Sequence, residues 1–247
     1  NADPPVTSDS EEYNGSSWAE GNNLNTARYI LAGCGTQTAG LAFGGYITAF
    51  QAITEEYDGT SWTESGDLNS ARYRPGGLGT QTAGLAAGGE LTPTTVNSEE
   101  YNGSTWAEGN NLNTAREGLG GAGIQTAGLM FGGSSSAHTE KYDGTSWTEV
   151  NNLNTARSVL TGAGLQTAAL AIGGHIPPDT GITEFFDGTS WTEVADLSTA
   201  RPTAAAGTST LALAIGGGPP KTAATEEWNF TSTLAAGAWA SGGALNA

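Results

Sequence analysis

The chain has 247 residues, 38 of them Gly, and only 13% are charged, yet Asp and Glu outnumber Lys and Arg 25 to 8. A formal charge of −17 excludes a basic phosphate-binding surface, and with it nucleic acid as a partner; it also opposes docking on an anionic membrane. No apolar run approaches the roughly 20 residues of a membrane span, so no membrane insertion is expected.

The chain begins with Asn, as expected of a processed or trimmed product. The first recurring phrase is EEYNGSSW from Glu11. It returns as EEYDGTSW from Glu55, EEYNGSTW from Glu99, EKYDGTSW from Glu140 and EFFDGTSW from Glu184, with a degenerate EEWN from Glu226. The aromatic anchors Tyr13, Tyr57, Tyr101, Tyr142, Phe186 and Trp228 are 44, 44, 41, 44 and 42 residues apart. A period of about 40–50 residues marks an array of small units, none able to bury its apolar face alone. The excess acid then reads as solubility, and the regular Trp and Leu placement rules out a disordered linker.

Within a unit the spacing separates frame from loop. The anchor lies 15 residues before Arg28, Arg72, Arg116, Arg157 or Arg201 in every complete copy. From that Arg to the second Gly of a Gly-Gly pair is 17 residues in four copies and 16 in the last. Only the stretch from Gly-Gly to the next anchor varies, at 12, 12, 9, 12 and 11 residues. After each Arg comes a small-residue run such as YILAGCG, then a polar turn, then an apolar run ending in Gly-Gly, such as AGLAFGG. The segment into the anchor alternates like a half-buried strand. The Asn-Gly or Asp-Gly pair predicts a tight hairpin with both residues at positive φ, after which Trp opens a fourth strand.

Four short antiparallel strands per unit, repeated radially, predict an all-β fold, a β-propeller of four-stranded blades. Five blades are expected, with six as the alternative. The whole of 1–247 reads as one domain. It comprises an outer hairpin in 1–27, repeats at 28–71, 72–115, 116–156 and 157–200, and a last repeat at 201–247. The chain holds five inner strand pairs but six outer ones. Asn1 aligns with the second Gly of a Gly-Gly pair, and Ala247 falls two residues short of the next expected Arg. In a five-bladed ring the first and last outer hairpins would compete for one blade edge, the loser free to dock elsewhere; in a six-bladed ring one blade would lack its inner strands unless another chain or a longer parent supplied them.

Gly-Gly, a variable loop, Tyr-Asp-Gly, a Trp five residues past the Tyr and Leu-Asn-(Thr/Ser)-Ala-Arg resemble the kelch repeat over nearly the whole chain. The phrasing LNTAR and TQTAGLAFGG is similar to kelch-like arrays in virion and tail-associated proteins of marine bacteriophages. The resemblance implies an extracellular or virion setting, with other particle subunits or a host-surface glycan or protein as partners.

No catalytic set stands out, and neither an enzyme nor a cofactor is expected. His138 and His175 lie in variable loops of different units without metal-ligand spacing, so no metal site is expected. The single Cys34 corresponds to Leu78, Ala122 and Ala163 in other units and reads as core filling. Glu55 and Glu56 are adjacent on a strand and point to opposite faces, so they cannot flank one bond. The recurrent Arg residues could ring a channel mouth and grip an anion. Their equal period with Glu11, Glu55, Glu99, Glu140, Glu184 and Glu226 points instead to repeated ion pairs. The Trp series reads as packing between blades rather than a sugar platform. Binding is expected in the variable loops at 46–54, 90–98, 134–139, 175–183 and 218–225, where Tyr46, Phe50, His138, His175 and Lys221 depart most from the residues around them.

Overall fold

The structure, a computed structural model, describes residues 6–218, 220–230, 238–243 and 245. The alignments expected for Asn1 and Ala247, and Pro219 of the fifth loop, lie outside the described residues. The chain is a five-bladed all-β propeller in which each blade is a four-stranded antiparallel sheet. A hairpin of β1 (Glu11–Tyr13) and β2 (Trp18–Glu20) precedes the first blade. Blade one is β3 (Ala32–Thr36), β4 (Ala39–Phe43), β5 (Thr54–Tyr57) and β6 (Trp62–Glu64). Blade two is β7 (Gly76–Thr80), β8 (Ala83–Ala87), β9 (Ser98–Tyr101) and β10 (Trp106–Glu108). Blade three is β11 (Gly120–Ile124), β12 (Ala127–Phe131), β13 (Thr139–Tyr142) and β14 (Trp147–Val150). Blade four is β15 (Thr161–Leu165), β16 (Ala168–Ile172), β17 (Thr183–Phe186) and β18 (Trp191–Glu193). Blade five is β19 (Ala204–Gly207), β20 (Leu211–Ile215), β21 (Thr225–Asn229) and β22 (Ala238–Ser241).

The innermost strands are crowded with Gly and Ala because they meet one another around the axis: β3 packs on β7, β7 on β11, β11 on β15 and β15 on β19. Gly77 shows the limit. A Cβ there would come within 2.9 Å of both Ala32 Cβ and Phe43 Cζ. The outer strands are held by cross-strand aromatic pairs, with Tyr57 and Trp62 centroids 5.0 Å apart and Tyr142 and Trp147 4.8 Å apart. Each Gly-Gly pair turns the chain off its second strand. Gly88 and Gly89 sit at φ +64° and +98°, where a side chain is strained, and the Gly89 amide donates to the Arg116 carbonyl at 2.8 Å.

The hydrophobic core lies between blades rather than within them. Leu41, Phe43, Leu68, Ala86, Tyr101 and Trp106 cluster across blades one and two. Leu129, Phe131, Leu160, Ala171 and Trp191 do so across blades three and four. Indole N–H groups reach across the same junctions, Trp106 Nε1 to Thr54 Oγ1 at 2.9 Å and Trp191 Nε1 to Thr139 Oγ1 at 3.1 Å.

One expectation needs correction. The outer hairpin turn is not a two-residue turn with Asn or Asp at positive φ. The register pairs Tyr57 with Trp62, leaving four residues in the loop, and only Gly59, at φ +89°, is left-handed. Asp58 earns its place through its side chain: Oδ1 accepts the Thr60 and Ser61 amides at 2.8 Å each, and these bonds hold its carboxyl below the usual range. Of the two outer hairpins, β21–β22 completes blade five, while β1–β2 forms its own two-stranded sheet and docks elsewhere, between blades five and one. Tyr13 donates to Glu227 Oε1 on one side, and Tyr57 donates to Glu12 Oε1 on the other.

Candidate functional site

The recurrent Arg residues are internal. Arg28 pairs with Glu55, Arg72 with Glu99, Arg116 with Glu140, Arg157 with Glu184 and Arg201 with Glu226, and no side chain of these pairs is more than 4% exposed. The guanidinium of Arg72 also donates to the Gly88 and Asn97 carbonyls, at 3.1 and 2.9 Å. Burial draws the Arg72 and Arg116 guanidinium groups below their ordinary value, with the paired glutamates pushing back. The other oxygen of each Glu is capped from the preceding turn: Asn69 gives Glu99 Oε2 its amide at 2.6 Å and its side-chain N–H at 2.9 Å. Each ion pair lies within one unit, the caps tie that unit to the one before it, and the pairs leave no guanidinium ring at the channel mouth.

The mouth is formed by the next residues along. In three units the residue after the Arg meets the residue after the Gly-Gly through a short bridge, Tyr29 with Tyr46, Tyr73 with Glu90 and Ser158 with His175. Further bridges, Tyr46 with Phe50, Glu90 with Thr94 and His175 with Asp179, fold the variable loops into small closed hairpins. Both sets of loops therefore share one face. At the following position Ile30, Arg74 and Val159 are left-handed, with φ of 52°, 53° and 52°, and line the axial cavity. For β-branched Ile30 and Val159 this conformation costs on the order of 1–2 kcal/mol each. Main-chain bonds from Gly118 N to Arg74 O and from Val159 N to Gly118 O, both 2.9 Å, hold part of that ring.

On this face the structure brings together two of the expected binding residues and adds two more. Tyr46 and Phe50 are 5.9 Å apart between ring centroids, and both meet Tyr73, at 5.7 and 6.0 Å, with Phe50 and Tyr73 stacked at 10°. Tyr29 joins edge-on, 5.5 Å from Tyr46 and 6.4 Å from Tyr73. The Arg74 guanidinium lies 4.9 Å from the centre of the Tyr73 ring and 3.9 Å from Glu117 Oε1. Burial pushes the Glu117 carboxyl up, Arg74 draws it down, and neighbouring Glu90 raises it again. Arg74 Nε and Glu117 Oε2 are buried with no hydrogen-bond partner among the described residues. The result is a cluster of rings beside a mixed Arg–carboxyl group, spanning blades one to three. It offers stacking area and fixed hydrogen-bonding groups to a polar ligand with apolar faces.

The other expected residues do not join it. His138 serves the fold through its backbone, its carbonyl accepting from Arg116 Nη1 at 2.8 Å and from Gly132 N at 2.9 Å. His175, 45% exposed, places Nδ1 2.5 Å from Asp179 Oδ1 within its own loop. Lys221 is exposed in the fifth unit. Among the described residues no three His, Cys, Asp or Glu side chains are grouped as a metal site would need. Cys34 packs partly against the cluster of blades one and two, and burial pushes its thiol up to about 12, so it stays protonated at neutral pH. Tyr29, Tyr73, Arg74 and Glu117 escaped the sequence reading because they abut the constant Arg. The signal was there, since Tyr29, Tyr73, Glu117, Ser158 and Pro202 vary beside an unvarying neighbour.

No protein-family model matches the chain, and no curated protein matches it either.

Proposed function

We propose that this propeller is a non-enzymatic recognition module of an extracellular particle, a phage tail or virion appendage, that grips a host-surface glycan or protein with its loop face. The observation that carries the reading is the four-ring cluster of Tyr29, Tyr46, Phe50 and Tyr73 beside Arg74 and Glu117. Rigid aromatic rings give contact area at low entropy cost, and short bridged hairpins hold them in place before a ligand arrives. The kelch-like wording supports the particle setting. An adhesive propeller on a cell surface would use the same cluster and differ in what carries it. Glycan-array binding of the whole chain, compared with Tyr46→Ala and Phe50→Ala, tests the site. Immunogold microscopy of the native source separates particle from cell surface. Undiminished binding by both variants overturns the proposal.

A further inference from the structure

We propose that the two Asn-Gly turns, at Asn14 and Asn102, are sites of spontaneous deamidation, and that the fold steers the product to aspartate and takes it up as a native residue. This rests on the outer hairpin turns and not on the loop-face cluster.

The repeat supplies the comparison. The same turn carries Asp58-Gly59, Asp143-Gly144 and Asp187-Gly188 in three units, and Asn14-Gly15 and Asn102-Gly103 in two others. In each Asp turn Oδ1 accepts the amides two and three residues on, all at 2.8 Å. Asn102 Oδ1 accepts the Ser104 and Thr105 amides at 3.0 Å each, and Asn14 Oδ1 those of Ser16 and Ser17 at 2.9 Å. The side-chain nitrogens donate to hydroxyls, Asn102 Nδ2 to Thr105 Oγ1 and Asn14 Nδ2 to Ser17 Oγ, both at 3.1 Å.

This geometry suits the chemistry. Gly103 N bonds to Asn102 Cγ, the Cγ–Nδ2 bond breaks, and Nδ2 leaves as ammonia with the proton that Gly103 N has lost. One water then opens the cyclic imide. Cleavage between Cγ and Gly103 N gives aspartate, and cleavage at the main-chain carbonyl of 102 gives isoaspartate. Negative charge develops on Oδ1 during ring closure and again when water adds at Cγ, and the Ser104 and Thr105 amides stand where such an oxyanion needs them. Water adding at the main-chain carbonyl places the charge on an oxygen to which neither amide donates.

The attacking nitrogen is free to move. Asn14 and Asn102 are exposed, and among the described residues no hydrogen bond ties the Gly15 or Gly103 amide. A Cβ on Gly15 would meet nothing within 4 Å, and one on Gly103 would first meet Thr82, at 3.5 Å. Asn69 and Asn154 are the opposite case. The Ser70 amide donates to Glu99 Oε1 and the Thr155 amide to Glu184 Oε1, both at 3.3 Å, and the same glutamates hold Nδ2 of each Asn at 2.9 Å.

The product fits its place. Bonds from the Ser61, Ser146 and Ser190 amides, then from Thr60, Thr145 and Thr189, hold the Asp58, Asp143 and Asp187 carboxyls below their ordinary value. A depressed folded value adds stability that is present above the unfolded value, about 3.9, and lost as pH falls through the folded one. An aspartate formed at 102 gains the same at neutral pH. Isoaspartate instead lengthens the main chain of a loop whose ends are fixed by the Tyr101–Trp106 pairing.

The test holds the whole chain, folded or in urea, in mildly alkaline water enriched in heavy oxygen. Peptide mass spectrometry then locates the label and separates aspartate from isoaspartate. Label is expected at Asn14 and Asn102 of the folded chain and not at Asn69 or Asn154. Aspartate at 102 should exceed isoaspartate by about threefold or more, a small part of the ~10²–10³ in rate that one preorganised oxyanion donor is worth in an enzyme. In urea isoaspartate should dominate, and Asn102→Asp should melt no lower than the native chain at neutral pH. An unlabelled Asn102 in the folded chain, over a time in which the urea-unfolded chain is labelled, overturns the proposal. So does an isoaspartate majority in the folded chain, or a lowered Tm for Asn102→Asp.

Discussion

Tyr57 donates its phenolic hydroxyl to the Glu12 carboxylate across the junction between blade one and the β1–β2 hairpin, the bond that Tyr101 makes to Glu56 and Tyr142 to Glu100 between complete blades. The hairpin is thus held as a member of the ring. The bond also has a pH signature. Bonding to Glu12 pushes the Tyr57 hydroxyl up to about 12, burial and then Glu56 push Tyr101 up to about 12, and Tyr13 and Tyr142 are raised as well. A folded value above the unfolded one, ordinarily about 10, gives stability that is complete below pH 10 and lost as pH rises through 12. Tyrosinate absorbance against pH should show several late-titrating tyrosines, with Tm falling over the same window. Titration of all tyrosines near pH 10 would contradict this.

The opposite limb belongs to the buried carboxylates. Burial alone would raise Glu226, but hydrogen bonds from Arg201 and Ser198 and the Arg201 charge carry it below its ordinary value. A depressed folded value gives stability that is present above about pH 4.5 and disappears as pH falls through the folded value. Acid unfolding followed by circular dichroism should steepen below pH 4.5 in the native chain, and Glu226→Gln should blunt that dependence.

Removing one partner of a fully buried pair leaves the other charge stranded. Arg116→Ala should cost about 3–5 kcal/mol by urea unfolding, above the ~1.5–3 kcal/mol of a charge-assisted hydrogen bond alone. The paired change Arg116→Met with Glu140→Leu should recover much of that loss, since well-packed apolar groups replace such pairs at little cost. A single variant that unfolds like the native chain would mean that the ion pair is not a structural tie.

The frame of this molecule was legible because every unit repeats the same physical problem. Tyr, Trp, Arg and Gly-Gly recur at fixed spacing, and strand, ion pair and bend follow from them. The turn at Asp58 was misread because an Asp-Gly pair suits both a two-residue turn and a four-residue loop; the Tyr57–Trp62 register decides between them. The aromatic cluster was only half visible. Tyr46 and Phe50 lie in a loop that announces itself by variation, whereas Tyr73 comes from the next unit and meets them only once the blades are arranged around an axis. His138 stood out chemically, yet its carbonyl, not its imidazole, is what the fold uses.

The loop face predicts a separation of binding from stability. Tyr46→Ala should shift Tm by only a few degrees, because the ring is half-buried, while glycan or host-cell binding falls at least tenfold, about 1.4 kcal/mol. Replacing 175–183 with the shorter 134–139 sequence should leave Tm nearly unchanged and test whether the fourth loop contributes at all. Binding that survives Tyr46→Ala but disappears on that swap would move the site away from the cluster.

The ring itself is tested most directly by a double-mutant cycle on Tyr57→Phe and Glu12→Gln, set beside the same cycle on Tyr101→Phe and Glu56→Gln, with urea unfolding as the readout. If β1–β2 occupies a blade position, both cycles should give a coupling of similar size, about 1 kcal/mol, within the range for hydrogen-bonded neighbours. Coupling at Tyr101–Glu56 with none at Tyr57–Glu12 would contradict the account, because the hairpin would then be a loose N-terminal arm.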